Sequence, residues 1–155
     1  RHGEGVARSY QKALAWQKKL VLLYELAYNL SDEVRKYSVY AEKIFALAGL
    51  YHSMRDYPNQ KETLLKLKKL CESTDQVWGE VYMLGVISEL ADLAFEQGDF
   101  REAEVHLKQQ NAFCKKIIDE NSETVGSIGS TASILANGYY MLGTIANRLG
   151  DKEEI

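Results

Sequence analysis

The chain has 155 residues, a formal net charge of −3 and a hydrophobic fraction of 46%. These values are typical of one folded domain and exclude an intrinsically disordered chain. The small negative charge argues against nucleic-acid binding by bulk attraction. No apolar run approaches the ~20 residues of a membrane span, and no secretory signal is visible. We therefore expect a cytoplasmic protein that does not enter a membrane, with Cys71 and Cys114 as reduced thiols.

Apolar residues recur at helical spacing along most of the chain, and Pro58 is the single proline. This pattern predicts about six long helices, over 6–29, 32–54, 58–72, 76–96, 100–119 and from the glycine-bearing stretch 121–130 to 149. A truncated seventh helix is predicted to begin at Asp151, where Asp151 and Glu154 have capping-box spacing.

Three similar turns separate these helices, at Arg55-Asp56, Gly98-Asp99 and Gly150-Asp151. Glycine tolerates the left-handed backbone that ends many helices, and aspartate is a favoured N-cap. When the turns are aligned, the preceding helices share a pattern of two large residues, a small one and a variable one. The small residue is predicted to let a partner helix approach closely. The three sets are Ile44, Leu47, Ala48 and Tyr51; Ile87, Leu90, Ala91 and Ala94; Tyr139, Leu142, Gly143 and Ala146.

The segments LADLAFEQGDFREAEVHL, YYMLGTIANRLGDKEE and IFALAGLYHSMRDY resemble tetratricopeptide repeats. The resemblance implies one all-α domain over residues 1–155. In it, antiparallel helix pairs would stack as a right-handed solenoid with a concave binding groove. The chain departs from the family in its turn spacing, which is 43 residues from Asp56 to Asp99 and 52 from Asp99 to Asp151, where the family has about 34. Gln60 and Gln110 also replace small apolar residues.

Longer helices explain the spacing, and armadillo-type repeats, with a period of about 40–47 residues, are the structural alternative. Both ends of the chain look cut through an array, so we expect the natural protein to be longer.

In the tetratricopeptide family the first helix of each pair lines the groove. By that register the partner-binding positions are Phe45, His52, Glu89, Asp92, Phe95, Asn137, Tyr140 and Asn147. This strip has an acidic centre and aromatic flanks, which suits a basic or amphipathic partner segment. The alternative interpretation is that the acidic residues belong to an ordinary solvated helix face.

Other candidate sites are weaker. The family subtype that grips a carboxyl terminus needs Lys, Arg and Asn in the groove, and only Asn137 fits that requirement. Trp16 and Trp78 are either core residues or partner anchors. Lys61, Lys66, Lys68 and Lys69 form a basic outer helix face without the interleaved aromatics of a nucleic-acid site.

No nucleophile–base pair or metal motif is visible, so we expect a protein that is not an enzyme and holds no cofactor or metal. The sequence predicts a non-catalytic protein–protein interaction scaffold that binds a peptide or helical segment in its groove. The alternative is a ligand- or peptide-sensing regulatory module of a larger signalling or transcription-regulator protein. Self-association through the incomplete repeats at the two ends is a further expectation.

Overall fold

A computed structural model describes the backbone of residues 2–120 and 125–150 and the side chains of residues 7–120 and 129–150. Within these residues the chain forms seven α-helices and no strand, so the all-α prediction is confirmed. The helices are α1 (His2–Leu30), α2 (Asp32–Tyr37), α3 (Val39–Ser53), α4 (Tyr57–Glu72), α5 (Val77–Glu96), α6 (Phe100–Glu120) and α7 (Val125–Leu149). The helix predicted to start at Asp151 lies outside the described residues.

The chain divides into two compact units, residues 1–86 and 87–155, and α5 continues from the first into the second. In the first unit α1 packs on α3, and α3 packs on α4. The side chains of Ile44, Leu64 and Leu67 are almost fully buried there. Burial of large aliphatic side chains of this kind is the main favourable term in folding. The prediction of a single domain over residues 1–155 stays a prediction.

The single helix predicted over 32–54 is wrong, because the chain breaks at Ser38 between α2 and α3. The buried Ser38 hydroxyl accepts a hydrogen bond from the Ala41 amide (3.3 Å) and so caps α3. On the other side of the break, the indole Nε1 of Trp78 donates to the Arg35 carbonyl (2.8 Å). A carbonyl at this position in an unbroken helix would accept from residue 39 instead. The Trp78 bond therefore gives the interrupted helix end a partner from α5.

The two complete interhelical turns share one geometry, as their alignment predicts. Arg55 and Gly98 both have a left-handed backbone, with φ of 56° and 76°. The amide of Asp56 donates to Tyr51 and that of Asp99 to Ala94, each at 2.9 Å, which is the six-to-one bond of a Schellman C-cap. Asp99 then caps α6 by accepting from the Glu102 amide (3.2 Å), and Asp56 caps α4 in the same way. Each turn thus ends one helix and starts the next.

The second unit is built on a core shared by α5, α6 and α7. Its buried members are Ala91, Ala94, Ala103, Leu107 and Ile145. Ala48 in the first unit and Ala91 here are both fully buried, so the close-approach role predicted for these small positions is consistent with their placement.

The prediction that Gly143 is the small, closely packed position of α7 is wrong. Gly143 is exposed, with no atom within 4 Å of where a Cβ would stand, and Tyr139 is 49% exposed. Among residues 129–149 of α7, whose side chains are described, the buried ones are Thr131, Gly138 and Ile145, which recur every seven positions. Gly138 is buried in place of Gly143 because the Gln110 and Asn111 side chains of α6 occupy the space that a larger residue would need.

At Gly138, α7 passes close to two side chains of α6. A Cβ at this position would collide with the Asn111 amide oxygen and lie 2.8 Å from Nε2 of Gln110. Gln110 also donates to the Ile134 carbonyl on α7 (3.3 Å). Gln110, one of the two departures from the repeat pattern, is therefore buried between two helices and hydrogen-bonded to the second. Polar side chains of this kind fix how two helices align, because another alignment would leave them unpaired.

Candidate functional site

The acidic centre of the predicted strip lies on α5. Asp92 is exposed, Glu96 follows it one turn later and is also exposed, and Glu89 is half-buried and makes an interaction within the chain. Partial desolvation by the surrounding protein raises the pKa of Asp92, and the Glu96 carboxylate raises that pKa further. Like charges one turn apart on a helix destabilise it. A cation placed beside Asp92 and Glu96 would relieve this repulsion.

Phe95 packs inside the second unit. Its ring meets Phe100 edge-on at a centroid distance of 5.5 Å and lies against the shared core. The guanidinium of Arg148 from α7 lies 5.7 Å from the Phe95 ring and 5.2 Å from the Phe100 ring. These contacts join the end of α5 to the end of α7 and account for Phe95 without a partner. They place Arg148, near the carboxyl-terminal end of α7, against the end of α5.

The α7 members of the strip project into solvent. Tyr140 is 75% exposed, and Asn137 and Asn147 are exposed as well. Asn137 donates a weak hydrogen bond from Nδ2 to the sulfur of Met141 at 3.5 Å. An exposed tyrosine flanked by amides offers a stacking or aliphatic contact together with neutral hydrogen-bonding groups. This combination is common on surfaces that bind other proteins.

The two members of the strip in the first unit differ from each other. Phe45 is half-buried on α3, and its ring packs over Gly85 at 3.5 Å and lies 6.2 Å from the Tyr82 ring. His52 is exposed in the last turn of α3, where a basic side chain is favourable for the helix dipole. The binding roles of all eight residues stay predictions.

The two tryptophans have opposite placements. Trp78 is 9% exposed and hydrogen-bonded to Arg35, so it is a core residue and cannot anchor a partner. Trp16 is 70% exposed on α1. Leu14 and Val21 are buried on one side of α1. A second row of apolar residues on the same helix, from Leu22 to Leu30, is exposed and was not predicted. A helix with apolar residues on both sides was the available signal.

The described side chains offer little reactive chemistry. Within residues 7–120 and 129–150, no group of three or more His, Cys, Asp and Glu side chains could hold a metal ion. Cys71 and Cys114 are free and buried, and burial raises the pKa of both thiols, that of Cys71 to about 11. A thiol with a raised pKa is a poor nucleophile at neutral pH. None of the described helices is both long and apolar enough to pass through a lipid bilayer.

Comparison of the chain with known protein families, with curated proteins and with solved structures finds no match.

Proposed function

We propose that the chain is a non-catalytic interaction scaffold of the tetratricopeptide type, and that it binds a basic or amphipathic helical segment. The two helix–turn–helix pairs with the same Schellman turn and aspartate cap support a repeat origin. Stacking of such pairs into a solenoid with a concave groove belongs to this proposal. So does a cytoplasmic location, which suits two free, buried thiols.

The observation that carries the proposal is the pair of exposed carboxylates, Asp92 and Glu96, which lie one helical turn apart on α5. A lysine or arginine placed between them is attracted by both carboxylates and relieves their mutual repulsion. The helix α7, whose Arg148 contacts Phe95 at the end of α5, carries the exposed residues Asn137, Tyr140 and Asn147. In this proposal they supply further apolar and neutral polar contacts to the partner. The partner expected from this chemistry has a cationic side and an apolar side.

The test is fluorescence anisotropy with two labelled helical peptides of equal length, one built from lysine and leucine and the other from glutamate and leucine. We expect the lysine peptide alone to bind. Asp92→Lys should weaken its binding at least about tenfold, since adverse charge at an interface typically costs more than 1.4 kcal/mol.

The matched control is Asp119→Lys, which makes the same charge change at an exposed position of α6 in the same unit. Equal losses from both lysine variants would show that net charge, and not this site, governs binding. Equal binding of the two peptides would contradict the proposed partner chemistry.

A further inference from the structure

The two halves of α7 are held in the second unit by different kinds of contact. In the second half, the Arg148 guanidinium lies over the Phe95 and Phe100 rings. This half also carries the apolar side chains that pack on the shared core, which are Met141, Leu142, Ile145 and Leu149. Burial of apolar surface is the main favourable contribution to helix docking. Residues 141–149 therefore anchor the helix.

The first half of α7, over residues 129–138, buries no large apolar side chain. Its buried residues are Thr131 and Gly138, while Ile134 and Leu135 are half-buried. A segment with few buried apolar contacts opens at a lower free energy than the rest of a fold. The first half is thus the part of α7 that separates most easily from its neighbour.

The α6 side chains that face this first half are amides. Gln110 donates to the Ile134 carbonyl (3.3 Å), a bond of small net free energy because water replaces it on opening. Asn111 is 4% exposed, and neither polar atom of its amide has a hydrogen-bond partner within the part of the chain that the structure describes. Such a group is unfavourable when buried and is hydrated when the helices separate. It therefore lowers the free energy needed to open this half of α7.

The same segment also has a low intrinsic tendency to be helical. Glycine, serine, threonine and asparagine rank low in helix propensity. They occupy six of its ten positions, which are Gly129, Ser130, Thr131, Ser133, Asn137 and Gly138. Packing on α6 is therefore needed to keep the segment helical. Once separated from α6 it unwinds, and its amides exchange with solvent.

A buried thiol lies on the α6 face that this segment covers. Cys114 follows Gln110 by four residues and Asn111 by three, so the three side chains share one face of α6. The amino-terminal half of α6 packs with the anchored half of α7, whereas Gln110 bonds Ile134, so the two helices are antiparallel. This register places Cys114, which is fully buried, opposite the first half of α7.

We propose that residues 129–138 form a flap that opens away from α6 while residues 141–149 stay docked, and that this opening controls access to the Cys114 thiol. The closed flap shields the thiol and holds the Asn111 amide away from water. The open flap exposes both. The fold thus contains a built-in switch between a shielded and a reactive state of Cys114.

The first test is thiol labelling of the native chain with a disulfide reagent, with Cys71 of the first unit as the internal reference. Both thiols are buried, Cys114 slightly more completely than Cys71. We nevertheless expect Cys114 to react at least about tenfold faster, because opening the flap requires less free energy than unfolding a unit. Equal rates, both following global unfolding in urea, would overturn the proposal.

The second test alters the flap contact. Asn111→Leu replaces the unpaired amide by an apolar side chain of the same branched shape and should slow Cys114 labelling about tenfold. Gly138→Ala, whose methyl group would collide with Asn111, should accelerate labelling by up to about 30-fold. The control is Gly143→Ala in the anchored half, where the methyl group meets no atom and the rate should not change.

Circular dichroism shows whether each variant is folded, and the glycine pair still tests the proposal if Asn111→Leu fails to fold. Unchanged labelling of Cys114 in Gly138→Ala, or acceleration in both glycine variants alike, would contradict the flap.

Hydrogen exchange with mass spectrometry distinguishes opening of the flap from unfolding of the whole second unit. Residues 129–138 should exchange at a lower free energy than residues 103–114 of α6 and 141–149 of α7, with little dependence on urea. If α6 and both halves of α7 exchanged together, Cys114 would be reached by unfolding of the unit, and the proposal would be overturned.

Discussion

Replacing Gly138 by alanine tests the close packing of α7 on the side chains of α6. Alanine is the better helix former by about 1 kcal/mol, so in open space the change would stabilise α7. At Gly138, however, the new methyl group would collide with the Asn111 side chain and crowd the Gln110 amide. Overpacking of this kind costs about 1–3 kcal/mol. The net result is a loss of up to about 2 kcal/mol.

Gly143 on the same helix is the matched control, because nothing lies within 4 Å of its would-be methyl group. Gly143→Ala should stabilise the chain by up to about 1 kcal/mol. Urea denaturation followed by circular dichroism would measure both changes. Adding Asn111→Ala to Gly138→Ala should recover part of the loss, because it removes the colliding amide, which has no hydrogen-bond partner. If the two glycine variants had equal stability, the described packing of α6 on α7 would be incorrect.

Three further predictions concern other parts of the chain. Gly98→Ala should lower the free energy of unfolding by about 1–2 kcal/mol in urea denaturation, because the backbone φ of 76° at this position is unfavourable for alanine, although the new methyl group meets no atom. An unchanged urea midpoint would contradict the left-handed turn. Cys71, buried with a pKa of about 11, should resist iodoacetamide in the native chain and react in urea, as mass spectrometry would report; rapid native labelling would show that the site opens. The pKa of Asp92 is raised in the folded state, so the free energy of unfolding falls as the pH rises from the unfolded-state pKa through the folded-state pKa, and it stays lower above that range. Asp92→Asn should therefore abolish the contribution of this residue to the pH dependence of stability, and at neutral pH the variant should be no less stable than wild type in urea denaturation. A less stable variant would contradict the raised pKa.

The helices and turns are the part of the structure that sequence reasoning predicts well, because their signals are local. The Gly98-Asp99 turn depends on a residue tolerant of positive φ followed by a capping carboxylate, and both are visible in the sequence. Arg55 takes the same conformation without being glycine, and only the alignment of the three turns indicated it.

The break at Ser38 and the register of α7 could not be predicted because both depend on contacts between distant residues. Trp78 reaches the Arg35 carbonyl across 43 positions in the chain. Likewise, Asn111 selects Gly138 as the buried glycine of α7, although Gly143 matched the repeat pattern better. Periodicity shows that a helix has an apolar face, but packing decides which glycine a neighbour needs.

The candidate site was only partly predictable for the same reason. Asp92, Asn137, Tyr140 and Asn147 are exposed, as a binding strip requires. Phe95 is instead held by intramolecular aromatic and cationic contacts, and nothing in its local sequence distinguishes the two situations.

Hydrogen exchange with mass spectrometry, in the presence and absence of the lysine–leucine peptide, tests the proposed binding face most directly. Bound peptide should slow amide exchange in residues 87–96 of α5 and 137–147 of α7, and the slowing should disappear in Asp92→Lys. Slowed exchange confined to α1 or α4, or equal slowing in wild type and Asp92→Lys, would contradict binding at the Asp92 face.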